Sequence, residues 1–170
     1  MTKHQLALEA YKNTQELIRF MDQKAGAILV VLGLVFTGFI QIIQRLSFTI
    51  EDLNLYSVLA FLLGLVTIGS LLMSLFIVIL NILRPRLPNT SGADNLSIFY
   101  FQNVAKQHKE ELYSNYLGLE EKDLLSEITN QLSEVSLILV KKSRFVSRAL
   151  YYLLISIVSL MLLIICVNVL

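Results

Sequence analysis

The chain has 170 residues, of which 55% are hydrophobic and 16% charged, a balance too apolar for a soluble domain of this length. Its 14 Lys and Arg nearly cancel its 13 Asp and Glu, and a net charge of +1 gives no reason to expect nucleic acid as the main partner. The single cysteine, Cys166, excludes an internal disulfide and, inside an apolar run, reads as a small hydrophobe.

Residues 1–24 carry mixed charges in place of a short basic leader, so no cleaved signal peptide is expected. They read as an amphipathic helix whose stripe Leu6, Ala10, Asn13, Leu17 and Phe20, with Met21, is set to pack on another helix. No breaker separates this helix from the uncharged stretch Ala25–Gln44. At about 1.5 Å per residue that stretch crosses a hydrocarbon core about 30 Å thick. An external hairpin is expected over 45–57, because the next uncharged stretch, Leu53–Leu83, exceeds one crossing and its Asn54–Ser57 start favours a turn. The second span is therefore assigned to 58–83.

Arg84-Pro85-Arg86-Leu87-Pro88 stops that span, since proline lacks an N–H and disfavours helix in the residue before it. Asp94 or Asn95 can then cap a helix reaching about Tyr116, with Gly118 as its stop. From Leu119 to Leu170 there is neither glycine nor proline, and Leu124, Ile128, Gln131, Val135, Ile138, Lys142 and Phe145 recur at helical spacing. One helix is predicted there, its last part being the third span, 149–170, and its stripe packing on that of the first helix. The fold class is an all-α membrane protein with three transmembrane helices and a helical bundle formed by helix extensions and the helical region 84–148.

Lys and Arg number four before span one, one (Arg45) between spans one and two, and nine between spans two and three. The positive-inside rule places the N-terminus and 84–148 in the cytoplasm and the C-terminus outside. Asp22 enters the bilayer with span one, at a depth where a carboxylate must be paired or kept wet. Two readings stand: an interfacial anchor with Lys24 snorkelling, or a structural or gating ion pair with Arg144 or Arg148 at the matching depth of span three. Gly33 and Thr37, Ala60 and Gly64, and Ser70 and Ser74 stand four apart, a spacing that lets helix backbones approach closely, and packing within the chain is expected over packing between chains. Gln41 and Gln44 sit near the outer end of span one, able to bond across an oligomer or to face water.

Enzyme chemistry finds little support. His4 and His108 are the only histidines, no metal-ligand spacing or phosphate-binding loop occurs, and the spans hold no Asp, Glu, His, Lys or Arg, the usual groups of a proton relay. Phe99, Tyr100, Phe101, Tyr113 and Tyr116 lie near Arg84, Arg86 and Lys106, a set that reads first as core and interfacial belt. It also suits a nucleobase stacked on an aromatic ring with its phosphate on a cation. Lys141, Lys142, Arg144 and Arg148 form a juxtamembrane basic cluster of the kind that meets anionic headgroups.

Leu17-Ile18-Arg19-Phe20-Met21-Asp22-Gln23-Lys24-Ala25-Gly26-Ala27 resembles the "D-x-K-A" entry into the first span of the Pycsar transmembrane effectors, the PycTM-like family. Arg84-Pro85-Arg86, the stretch Asn95-Leu96-Ser97-Ile98-Phe99-Tyr100-Phe101 and Gln131 through Lys142 match further on, in order, over nearly the whole chain. The resemblance implies a bacterial antiphage effector of the inner membrane. A partner cyclase supplies cCMP or cUMP, and the effector impairs the membrane so that the infected cell stops growing or dies. No enzymatic activity and no cofactor are expected, and a homo-oligomer is the expected working form. If the chain itself binds the nucleotide, Arg84, Arg86, Asn95 and Lys106 are the expected contacts. The alternative is a constitutive scaffold or assembly subunit of a membrane complex with no ligand gating.

Overall fold

The computed structural model describes residues 2–44, 55–84, 108–118 and 120–169. Within them the chain is helical and has no strand: α1 (Lys3–Ile43), α2 (Leu55–Phe76) running into a π-helical segment (Ile77–Leu83), α3 (Lys109–Leu117) and α4 (Glu121–Val169). Three of these stretches are long and apolar enough to cross a membrane, Lys3–Ile43, Leu55–Leu83 and Glu121–Asn168. Most of the expected hairpin, the proline segment and the aromatic stretch Phe99–Phe101 lie outside the described residues.

The chain forms two compact units. The membrane unit, Phe20–Arg84 with Lys141–Leu170, packs three helices. Thr67 of α2 meets Ser159 of α4, Ser74 meets Ala149, and Cys166 meets Tyr56, so α2 runs antiparallel to α4. Asp22 beside Lys142 and Gly38 beside Leu160 make α1 parallel to α4. Ala25, Ile28, Leu32, Leu71, Val78, Ile82, Val146, Ala149 and Leu153 form one buried cluster, and Phe39, Ala60, Leu163 and Cys166 another. Apolar burial is not what selects these partners, because lipid tails are as apolar as leucine; close packing and interhelical hydrogen bonds do.

The buried positions follow sevens: Ala25, Leu32 and Phe39 on α1, Ala60, Thr67 and Ser74 on α2, and Ala149, Ser156 and Leu163 on α4. A seven-residue repeat keeps one seam facing its partner through a left-handed crossing. Of the pairs spaced by four, Ser70 and Ser74 are both buried and Ala60 is buried with Gly64 half-buried, whereas the pair on α1 is left uncovered. Gly33 and Thr37 are exposed, a Cβ on Gly33 or Gly64 would meet nothing within 4 Å, and Thr37 bonds only back to the Gly33 carbonyl. Ser70 donates to the Val66 or Thr67 carbonyl of its own helix, while Ser74 donates across to the Ala149 carbonyl of α4.

In the second unit, Met1–Arg19 with Pro85–Val140, no described residue is fully buried. Leu124, Ile128, Gln131, Val135 and Ile138 of α4 are half-buried as the stripe predicts. The expected stripe of α1 is not the covered one. Leu6, Ala10, Asn13 and Leu17 are exposed, as is Phe20 beyond them, while His4, Ala7, Tyr11, Thr14 and Ile18 are half-buried. Along α1 this covered set continues at the same spacing through Met21, Ala25, Ile28, Leu32, Val35 and Phe39. A single helix keeps one face, and the face required among the spans sets it. Gly118 ends α3, with φ −83° and its N–H donating to the Ser114 carbonyl. It serves as a stop without needing a left-handed conformation.

Candidate functional site

The charged end of the membrane unit holds a single described carboxylate, Asp22. The Lys142 ammonium donates to its Oδ1 at 2.5 Å, with the Lys142 side chain 12% exposed and that of Asp22 40%. The partner is thus Lys142, in place of the expected Arg144 or Arg148. Helical phase explains the difference. Lys142 shares the inward face with Val146, Ala149 and Leu153, whereas Arg144 stands about 200° around the helix and Arg148 about 120° away. Both arginines are exposed, and the Arg148 guanidinium lies over the Phe145 ring at 5.7 Å. Lys24, also exposed, sits over the Phe20 ring at 4.5 Å, an arrangement that turns its ammonium to an aromatic face rather than to Asp22.

A seam of hydroxyls runs along the contact between α2 and α4. Ser159 donates to the Leu63 carbonyl at 3.0 Å, and Thr67 donates either to that carbonyl at 2.8 Å or to Ser159 Oγ at 3.0 Å. Ser74 reaches across to the Ala149 carbonyl at 2.9 Å. All three are buried, so each bond answers a hydroxyl that would otherwise be left unsatisfied. These residues carry no chemistry by composition alone. The signal that finds them is the run of sevens through Ala60, Thr67 and Ser74.

In the other unit, both ring nitrogens of His4 face acceptors on Glu121, Nε2 the backbone carbonyl at 2.7 Å and Nδ1 the carboxylate at 3.2 Å. Oε1 of Glu127 is enclosed and has no hydrogen-bond partner. Among the described residues no group of three His, Cys, Asp or Glu could hold a metal ion.

Of the four expected nucleotide contacts, Arg84 is described. It is exposed and closes the π-helical segment with extended backbone, φ −63° and ψ 126°. That turn of the chain fits the proline that follows, which disfavours helix at Arg84. Arg86, Asn95 and Lys106 lie outside the described residues, as does the side chain of Tyr116. The π-helical segment itself, with Val78 and Ile82 fully enclosed, was not legible in the sequence; π turns recur at functional sites.

Compared with known proteins, residues 6–168 match the family model PycTM, described as the Pycsar effector protein domain. No curated protein and no solved structure matches the chain.

Proposed function

Because the chain belongs to the Pycsar transmembrane effector family of antiphage defence, we propose that it answers a cyclic pyrimidine monophosphate, cCMP or cUMP, made by a partner cyclase. The response is a rearrangement of an oligomer in the bacterial inner membrane that impairs membrane integrity and arrests or kills the infected cell. The observation that carries this reading is the extent of the family match, 6–168, which includes the helical region between spans two and three as well as the spans themselves. The chain acts without catalysis.

Physical features support each step. Ligand shifts an equilibrium only through a difference in affinity between two arrangements, and the unit made by Met1–Arg19 and Pro85–Val140 is the place for two arrangements. None of its described residues is fully buried, and helices with few buried contacts open at low cost. Arg84, Arg86, Asn95 and Lys106 are proposed to hold the nucleotide, the cations on its phosphate. The Asp22–Lys142 pair, flanked by Lys24, Arg144 and Arg148, is proposed as the gating pair, because it ties α1 to α4 where both leave the apolar region.

Three apolar spans cannot line a water-filled pore alone, so membrane damage needs several copies or a disturbance of lipid. The uncovered stripe of α1 favours association. Leu6, Ala10, Asn13, Leu17 and Phe20 follow coiled-coil spacing with one asparagine among the apolar positions, and all five are exposed. Copies inserted in one bilayer share orientation and depth, which brings such stripes into register.

The test is inner-membrane potential in cells expressing the chain with and without an active pyrimidine cyclase. Depolarisation requiring both is expected. An unchanged potential with cyclic nucleotide demonstrably present refutes the gating and favours a scaffold. Alanine at Arg84, Arg86, Asn95 or Lys106 is expected to weaken nucleotide binding, and unchanged affinity in all four rejects the assignment of the site.

A further inference from the structure

The membrane unit concentrates six cations at one end, Lys24, Arg84, Lys141, Lys142, Arg144 and Arg148, against the single carboxylate Asp22 among its described residues. Asp22 is taken by Lys142. What is left uncompensated is ordered. Lys141, Arg144 and Arg148 recur at spacings of three and four on α4, followed three residues later by Tyr151, so all four occupy an arc of roughly 80° on the helix. All are exposed, Tyr151 at 64%, and the stripe points away from the buried face of Val146, Ala149 and Leu153.

Its axial placement fits a lipid headgroup. From Ala149 onward α4 has no charge, so Arg148 marks the edge of the apolar region. Arg144 stands one turn, about 6 Å, further out, comparable to the roughly 5–8 Å that the polar region of one leaflet adds to the hydrocarbon core. Side chains on a helix tilt toward its N-terminus, and on α4 that direction leads out of the apolar region. The position of Arg148 over Phe145, the residue one turn earlier, follows that tilt. Tyr151, edge-on to Tyr152 at 5.9 Å between ring centroids, is an aromatic with an exposed body one turn inside the arginines, the usual interfacial anchor.

We propose that Lys141, Arg144, Arg148 and Tyr151 form a binding stripe for the phosphate of anionic phospholipid, phosphatidylglycerol or cardiolipin in kind. The two guanidiniums bind phosphate oxygens, Lys141 adds charge at the outer edge, and Tyr151 packs along the glycerol and upper acyl chain. Bound lipid then screens the repulsion among three like charges on one face of α4 where it leaves the membrane. Lys142, held by Asp22, takes no part. This proposal uses none of the residues proposed to hold the nucleotide and stands whether or not the chain is gated by nucleotide.

The experiment uses the full chain in nanodiscs of phosphatidylcholine alone and of an equal mixture with phosphatidylglycerol, with retained lipid counted by native mass spectrometry and thermal unfolding recorded in parallel. The wild type is expected to retain phosphatidylglycerol over phosphatidylcholine and to unfold at higher temperature in the mixture. Removing each arginine, Arg144→Gln or Arg148→Gln, lowers that preference about five-fold, while Arg144→Lys preserves most of it and Arg19→Gln, one charge removed from the other unit, leaves it unchanged. Equal retention of the two lipids by the wild type overturns the proposal. So does an equal loss from Arg19→Gln, which makes the attraction diffuse. A stabilisation reproduced by inorganic phosphate in phosphatidylcholine discs overturns the lipid assignment in favour of a free anion. Should the glutamine variants not fold, wild-type retention and Arg144→Lys decide between these outcomes.

Discussion

Removing the carboxylate from the Asp22–Lys142 pair is expected to cost more than removing the ammonium. At 2.5 Å and an effective dielectric near 20 the gross attraction is about 6–7 kcal/mol, most of which repays the desolvation of the two groups. The two ends are unequally buried, 12% exposed for Lys142 and 40% for Asp22. Asp22→Asn strands an almost enclosed ammonium, a case near the lower end of the roughly 3–5 kcal/mol typical of broken buried pairs, so about 2–3 kcal/mol is expected. Lys142→Met keeps the side-chain volume and leaves a carboxylate that water reaches, and its cost is about 1 kcal/mol or less. For a chain of this size each kcal/mol moves the unfolding midpoint by roughly 2–4 °C. Thermal unfolding in one fixed detergent should thus show Asp22→Asn lower than wild type by about 5–10 °C, Lys142→Met by a few degrees at most, and the double variant close to Lys142→Met alone. Additive losses, or a larger loss from Lys142→Met, refute the assignment of partner and of burial. Reversal at Asp22 rescued by reversal at Arg144 or Arg148, and not at Lys142, refutes the helical phase.

Three further substitutions test the packing. Ser74→Ala removes the bond to the Ala149 carbonyl and should cost about 0.6 kcal/mol, at most about 1.7, read as a lower midpoint in the same detergent; no change means the carbonyl is equally well served within its own helix. Ala149→Leu, at a position with no exposed surface, overpacks the α2–α4 contact and should cost about 1–3 kcal/mol, whereas the same change at exposed Gly33 should be far milder. Glu127→Gln removes a charge from an enclosed oxygen without a partner and is expected to leave the midpoint unchanged or raise it; a clear loss means that this oxygen is satisfied in the working protein.

The spans are legible because an uncharged run of about 20 residues matches the thickness of the hydrocarbon core, and a chain this apolar has too little polar surface to bury three such runs away from lipid. The stripe of α4 is legible for a related reason: between residues 121 and 145 its polar positions alternate with apolar ones at helical spacing, so one face stands out. On α1 two faces compete. Leu6, Leu17 and Phe20 form the more hydrophobic stripe and are the ones left uncovered, while the half-buried set contains His4, Thr14 and Ala7. What decides between them is which side of the same helix must fit α2 and α4 among the spans, and there almost every position of α1 is apolar, so hydropathy gives little direction. Lys142 as partner of Asp22 was within reach, since it belongs to the stripe that predicts burial. Arg144 and Arg148 attract attention only because they are nearer the apolar boundary in sequence, whereas phase around the helix governs which cation can turn inward.

That same phase separates two tasks on one turn and a half of α4. Lys142 points to α1 and fixes two spans against each other; Arg144 and Arg148 point outward, where lipid phosphate is proposed to meet them. A rotation of α4 by one residue step, about 100°, would withdraw Lys142 from Asp22 and swing the basic stripe from lipid toward its neighbours. The hydroxyl bonds that oppose such a rotation are individually weak, since interhelical bonds between side chains in membranes average about 0.6 kcal/mol. The ion pair is the stronger restraint. If gating proceeds by rotation of α4, Asp22→Asn should therefore lower the membrane potential of cells even without cyclase, while Ser74→Ala should not. A variant Asp22→Asn that stays silent until cyclic nucleotide is made would place the restraint elsewhere, in the unit formed by Met1–Arg19 and Pro85–Val140.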